Sequence, residues 1–367
     1  MKKVLILGID TFAAKNMPQV KSMSRLGYVF TIATTDSRNN SVRTFNQIND
    51  TGHKITVLSP RLFTRLGQVR SLLRNGPYNH IELYAGGRFT LFYICLLRYY
   101  RCNWIVVERG DIGSRDSYSR LIRHMIEIAY RAADAVWYKE PYMRPLLKEA
   151  GAKHLYFVPN AAEVPALATP EKKDIDFLWA NRLVYIRYPE WIVRAIKDPA
   201  LSQCKTVMLG LQPEAHCSPA TRAMQDYMRD NKSPALELQE FVDPRPWYCR
   251  SRFFLLPARL VFGNNALLEA MAHGVVPIVT ESPGIEMLIT DGVNGFISKA
   301  DETSFQQTMI KAYRLDQPAW QDMSQAAIGV IEEKFGLDLW SARMEKMYKE
   351  LAAKPKPGKR EGLASAG

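Results

Sequence analysis

The sequence predicts two consecutive α/β domains, each a doubly wound parallel sheet. Three observations point there. Short apolar, β-branched runs such as VLILG (4–8) and VVPIVT (275–280) lack alternation, as strands buried on both faces do. Helical stretches separate these runs. The series also starts twice, at Val4 and at Asp176, on either side of a polar, proline-bearing segment over 162–174. A chain of 367 residues allows two domains of ordinary size, each with its own core.

In chain order, residues 4–8 read as the first strand, 9–16 as a loop and 17–26 as a helix. Residues 28–35 form the second strand, ended by Asp36. Further strands fit 54–58, 81–84, 104–108, 135–138 and 155–158, with helices over 65–74, 90–100, 119–132 and 143–150. This first domain is expected over 1–165. The second opens with DFLWANR (176–182) and continues with strands over 206–210, 236–241, 253–257, 275–280 and 295–298. Its helices fit 190–196, 219–230, 247–250, 266–273, 304–315 and 321–335. A domain over 172–335 results, with ligand expected at the carboxyl ends of its strands. An amphipathic helix over 336–352 closes the chain, and the lysine- and proline-rich 353–367 reads as a disordered tail.

Composition narrows the function classes. Nearly half the residues are hydrophobic, which excludes a disordered chain. Five scattered cysteines without metal spacing read as reduced thiols of a cytosolic protein. No run approaches the roughly 18 apolar residues of a spanning helix. The net charge is +12. It is concentrated: residues 61–123 hold eleven arginines, no lysine and four acids (Glu82, Glu108, Asp111, Asp116). That surface is either a solvated basic face or a site for anionic membrane lipid or a phosphate-bearing acceptor. No nucleic-acid motif accompanies the charge, and no nucleic-acid partner is expected.

The most informative stretch is PARLVFGNNALLEAMAHGVVPIVTESPGIEMLITDGVNGFI (257–297). Asn264 and Asn265 suit the cap of a helix opening at Ala266, and Gly274 suits its stop. Glu269 is the one charge among Ala266, Leu267, Leu268, Ala270, Met271 and Ala272. Such a carboxylate must reach solvent, a cation or hydrogen-bond donors.

NALLEAMAHG, PIVT, GIE and DGVNG within this stretch resemble the nucleotide-binding core of the retaining glycosyltransferases of family 4, which have the GT-B fold. ADAVWYKEPYMRPLLKEAGAKHLYFVPNAAE (133–163) is similar to a segment of that family's first domain. The resemblance implies two Rossmann-like domains with a cleft between them and a C-terminal helix crossing back onto the first. It implies transfer of a hexose from a nucleotide sugar, such as UDP- or GDP-hexose, to a glycan or lipid-linked acceptor. No cofactor or metal is then needed, because basic residues and helix ends neutralise the departing diphosphate. The implied location is cytoplasmic, peripheral on the inner face of the membrane.

Residue by residue, the resemblance places the diphosphate on Arg182 and Arg187 of RLVYIR, with guanidinium suited to bidentate phosphate contacts. The donor phosphates would also meet Gly263, Asn264 and Asn265 at a helix N-terminus. Glu269 would accept from the ribose hydroxyls, and Gly284 would lie near the sugar. Three positions depart from the family. Tyr188 stands where a glycine follows the second cation, Val261 where the first glutamate of the Glu-seven-Glu motif falls, and Arg109 where a histidine is common. Glu108, Arg109 and Asp111, at the end of a first-domain strand, are the candidate substitutes, with Arg109 and Asp111 put forward as catalytic; pairing of Arg109 with an acid is the structural alternative. His273 suits a helix C-terminus better than catalysis. Val261 and Arg109 keep open a sugar-nucleotide-binding protein of weak activity, and a GT-B sugar-nucleotide epimerase is a third reading.

Overall fold

Strand β1 (Lys2–Ile9) leads through α1 (Met17–Arg25) to β2 (Tyr28–Thr34), and β3 (Lys54–Val57) follows. Then come α2 (Leu62–Asn75), β4 (His80–Leu83), α3 (Thr90–Tyr99), β5 (Trp104–Val107), α4 (Arg120–Ala132), β6 (Ala135–Tyr138), α5 (Met143–Glu149) and β7 (Leu155–Phe157). The computed structural model describes residues 1–10, 16–35, 52–110, 112–113, 118–165, 173–213, 217–240 and 242–353. The chain divides into two units, Met1–Pro159 with the chain from Trp340 onward, and Asn160–Leu339. Asp111 and the tail beyond Ala353 lie outside the described residues.

In the first unit the strands form one sheet in the order β3-β2-β1-β4-β5-β6-β7, every pair parallel. All four residues of each of β4, β5 and β6 are buried, which is why these strands read as continuous apolar runs. One core packs helices α2 to α5 on the sheet through Val69, Tyr93, Ile126 and Leu147 against Leu5, Leu83 and Val106. The chain from Trp340 packs into this unit as well. There the last helix, α12 (Leu337–Ala352), buries Trp340, Met344, Met347, Tyr348 and Leu351. Tyr348 stacks on His80 at 4.4 Å and donates its hydroxyl to the buried Glu82 carboxylate. Trp340 lies 6.1 Å from Trp137, and Lys2 pairs with Glu345 at 3.1 Å.

The second unit begins at Asn160, whose side-chain amide donates to the Gly263 carbonyl at 2.8 Å. Its sheet contains β8 (Ile175–Ala180), β9 (Thr206–Leu211), β10 (Leu236–Glu240), β11 (Ser251–Leu256), β12 (Val276–Thr280) and β13 (Phe296–Ser298). They run parallel in the order β10-β9-β8-β11-β12-β13. The helices are α6 (Pro189–Ala195), α7 (Pro219–Asp230), α8 (Arg245–Arg250), α9 (Asn265–Ala272), α10 (Glu302–Tyr313) and α11 (Gln317–Val330). Phe177, Ile192, Phe253, Ile278, Phe305 and Trp320 meet in its core.

Several expected helices start early: α2 begins at Leu62 and not at residue 65, and α8 at Arg245 and not at residue 247. Asp301 caps α10 by accepting from Ser304 N at 2.8 Å, so the helix starts two residues before the expected Ser304. The expected helix over 321–335 begins earlier, at a cap from Asp316, and its end is a π-helical turn, Ile331–Phe335. That turn sets Phe335 O to accept from Ala162 N at 3.0 Å.

Candidate functional site

The strand order of the second unit reverses between β8 and β11. Ligands of open α/β sheets bind at such a point, outside the carboxyl ends of the strands. Two segments meet there. Asn181, Arg182 and Leu183 follow β8, and residues 257–264 follow β11 and lead into α9.

Hydrogen bonds fasten the two segments together. Asn264 accepts from Leu267 N at 3.0 Å, capping α9, and donates through its amide to Asn181 Oδ1 at 2.8 Å. Arg259 N donates to Ile186 O at 2.9 Å. Thr280 Oγ1, at the end of β12, accepts from Ala258 N at 2.9 Å and donates to Ala258 O at 2.7 Å. The free N–H groups at the start of α9 are therefore held beside the loop that carries both arginines. Gly210 belongs to the same construction. At φ +132° its Cβ position would lie 2.1 Å from Asn181 O, so a side chain there would push the β8 end aside.

Arg182 is exposed and Arg187 half-buried, and among the described residues neither pairs with a carboxylate. Arg187 Nη1 donates only a long hydrogen bond, 3.4 Å, to Arg182 O. Burial first, and the Arg182 charge second, push the Arg187 guanidinium down to about 10. Two uncompensated cations beside a helix N-terminus are an anion site in chemical terms. The Tyr188 departure keeps the glycine-like backbone: Tyr188 sits at φ +37°, ψ +49°. That left-handed conformation costs a non-glycine residue roughly 1–2 kcal/mol. Stacking of Tyr188 on Trp191, at 4.5 Å and 13°, offsets part of it.

Glu269, in the middle of α9, is half-buried, and Tyr248 donates to its Oε2 at 3.5 Å. The carboxylate thus has a donor in an otherwise apolar helix. His273 ends α9 with Nδ1 2.7 Å from Glu269 O, and burial lowers its pKa. It acts as a helix terminator. Gly284 lies after β12 at φ +85° and opens only a three-residue 3-10 turn, Ile285–Met287. Val261 is buried, 1% exposed, so the departure from glutamate there is a packed apolar side chain.

Arg109 belongs to the first unit, after β5. Its guanidinium lies over the Tyr84 ring, 4.9 Å from the centroid, and among the described residues it meets no acid. Its neighbour Glu108 is buried and organises the loop. Its Oε1 accepts from Gly110 N at 2.5 Å and Ile112 N at 3.2 Å, and its Oε2 accepts from the Tyr130 hydroxyl. Glu108 is thereby committed to structure. Asp111 lies outside the described residues, and groups able to hold a metal ion are absent among them.

Sequence reading missed Asn181 and Tyr248. Asn181 stands in the sequence directly before Arg182, but nothing there shows its bond to Asn264. Tyr248 is 21 residues from Glu269, and no periodicity links them.

This fold is GT-B. A sucrose-phosphate synthase from Thermosynechococcus elongatus superposes with a TM-score of 0.77 at 13% identity, over 96% of this chain and all of that one. Anabaena HepE, solved in complex with UDP and glucose, gives 0.77 at 13% identity, over 95% of this chain and all of that one. A glycosyltransferase from Rickettsia africae gives 0.75 at 12% identity, over 96% and 99%. At such identities the likeness concerns the fold alone. Residues 175–314, all within the second unit, match the family model for glycosyl transferases group 1. A sucrose synthase from Melioribacter roseus is 31% identical over 106 residues, which are 27% of this chain and 13% of that protein. The chain therefore spans a small part of this relative.

Proposed function

We propose that the protein is a retaining hexosyltransferase that uses a nucleoside diphosphate hexose, UDP-hexose first, and a glycan or lipid-linked hydroxyl acceptor. The observation that carries this is the pair of uncompensated arginines, Arg182 and Arg187, fastened beside the N-terminus of α9 at the sheet's switch point. A diphosphate fills that place chemically, with Gly263 and Asn265 supplying backbone donors. Asn264 N donates to Val261 O at 3.1 Å, so Asn264 serves the site as the cap that holds the start of α9 in place. Glu269 accepts from the ribose hydroxyls, and Gly284 lets the backbone approach the sugar. The preference for UDP is supported by HepE, which was solved with UDP-glucose.

In the proposed reaction the bond from the anomeric carbon to the β-phosphate oxygen breaks, its electron pair staying on that oxygen. The acceptor oxygen bonds to the same face of the anomeric carbon and its proton passes to the departing phosphate. Arg182, Arg187 and the start of α9 hold the developing charge without reorganising, and no metal or cofactor takes part. Arg109 and Asp111 are assigned to the acceptor side. The reaction is placed in the cytoplasm, with the arginine-rich first unit at an anionic membrane surface. Among the described residues, no helix is long and apolar enough to cross a membrane.

One observation favours a second reading. Val261 is buried and apolar where the family has the first motif glutamate, which suits a protein that binds the donor with little turnover. Incubation with UDP- or GDP-hexose and a panel of glycan and lipid acceptors separates the two. A product of unchanged anomeric configuration supports transfer. Donor binding without product supports the second reading, and no nucleotide binding overturns both.

A further inference from the structure

We infer that the first unit docks on an anionic lipid bilayer through the N-terminal ends of α2, α3 and α4. This gives residues to the membrane location already proposed and rests on that reading, while its test reads vesicle binding and not transfer. The three helices follow β3, β4 and β5, so their N-terminal ends lie on the edge where the strands end. Each carries a large apolar side chain turned to solvent in its first turn. Phe63 on α2 is 86% exposed, Phe92 on α3 42% and Leu121 on α4 68%. Each also carries an exposed arginine at the same point: Arg61 caps α2, Arg88 precedes the cap of α3, and Arg120 opens α4.

These features form one rim. Arg65, in the first turn of α2, is buried with its guanidinium 3.9 Å from the centre of the Phe89 ring, and Phe89 caps α3. Helices α3 and α4 pack along each other. Among the described residues, Arg61, Arg88 and Arg120 have no acidic partner. Glu82 and Glu108 are buried and take the hydroxyls of Tyr348 and Tyr130, while Glu127 takes Arg123 at 3.2 Å. Asp10, at the end of β1, accepts from Thr35 at 2.9 Å.

The pairing of exposed apolar groups with arginines that meet no acid among the described residues selects the occupant. A phenylalanine almost wholly in water gains by entering an apolar phase, and arginines around it gain from fixed negative charge. A bilayer with anionic headgroups supplies both at once. A soluble glycan has no apolar phase to offer.

The test uses the intact chain and sedimentation with phosphatidylcholine vesicles, with and without phosphatidylglycerol. The rim triple variant R61Q/R88Q/R120Q should lose roughly fivefold in partitioning per arginine, about a hundredfold in all. A control removes three arginines from the opposite helix ends, R74Q/R98Q/R131Q, and should lose far less. F63S/L121S keeps every charge and should lose at least about fivefold. Binding should fall as salt shortens the Debye length to about 3 Å at 1 M. Folding of each variant is checked by its thermal midpoint. Equal losses from the two arginine triples, unchanged binding by F63S/L121S, or equal binding to neutral and anionic vesicles would each overturn the inference.

Discussion

Replacing Arg187 by glutamine should move ligand-free stability and nucleotide binding in opposite directions. In the free protein the Arg187 guanidinium is half-buried, repelled by Arg182 and without an acid among the described residues. Its pKa, lowered to about 10, means the charge costs the folded state at most about 3 kcal/mol. Glutamine removes that charge and forfeits the long bond to Arg182 O and some packing of the stem, together about 1–2 kcal/mol. A net gain of about 1–2 kcal/mol remains, or roughly 2–8 °C in midpoint for a unit of this size. UDP at 100 times its dissociation constant adds about 2.7 kcal/mol to the wild type. Loss of a charge-assisted phosphate contact, about 2 kcal/mol, weakens affinity about thirtyfold. The same UDP concentration then adds only about 0.9 kcal/mol. Differential scanning fluorimetry with and without UDP reads both quantities. A variant less stable without ligand, yet shifted by UDP as far as the wild type, would refute the assignment of Arg187 to the diphosphate.

Two further outcomes test other sites. Glu269→Gln should weaken uridine and UDP alike by about 1.5–3 kcal/mol, whereas Arg182→Ala should weaken only UDP; calorimetry that finds Glu269→Gln neutral for uridine removes the ribose assignment. Glu82 should make the fold less stable as pH rises: burial, against the Tyr348 hydroxyl bond and Lys139, raises its pKa from 4.5 to about 7. Its proton is kept in the fold after the unfolded chain has lost it, so this stability is fully present below about pH 4.5 and lost as pH rises through 7, about 3 kcal/mol in all. Glu82→Gln should flatten urea-unfolding stability between pH 5 and 8 by about 2–3 kcal/mol, leaving the part due to Glu140, which burial also raises to about 7. An unchanged pH slope in Glu82→Gln would show that Glu82 is ionised in the fold.

Strands were legible because parallel strands buried on both faces leave the same mark in sequence and in structure. Residues 135–138, expected as a strand, are β6, and β5 covers all but the last residue of the expected 104–108. Helix ends were less legible where the cap is a lone aspartate. Asp301 and Asp316 set the starts of α10 and α11, and neither stands out among ordinary polar residues. The Asn264 cap was readable because Asn264 stands between a loop and an apolar helix. What joins one loop to another was not readable. The bond from Asn264 to Asn181 spans 83 residues and that from Tyr248 to Glu269 spans 21, and both depend on which strands become neighbours.

The departures from the family pattern are explained unequally by the structure, and the inequality bears on function. Tyr188 holds, at the cost of strain, a left-handed turn that a glycine would adopt freely. Strain at a site persists where the surrounding structure over-determines it. Here the turn joins Arg187 to α6, and Trp191 on α6 stacks against the strained residue. Maintaining that geometry matters only if the position of Arg187 matters, which argues for a diphosphate between the arginines and α9. At Val261 the opposite holds. The side chain is buried and nothing in the loop keeps a place for a carboxylate. Under the proposed function the two departures therefore differ: the turn at Tyr188 leaves room for the diphosphate role of Arg187, whereas Val261 offers no carboxylate. The groups that act on the sugar and acceptor then come, under the proposed function, from outside the Glu-seven-Glu motif. Arg109, exposed over Tyr84 and uncommitted to any acid among the described residues, is the first place to look for them.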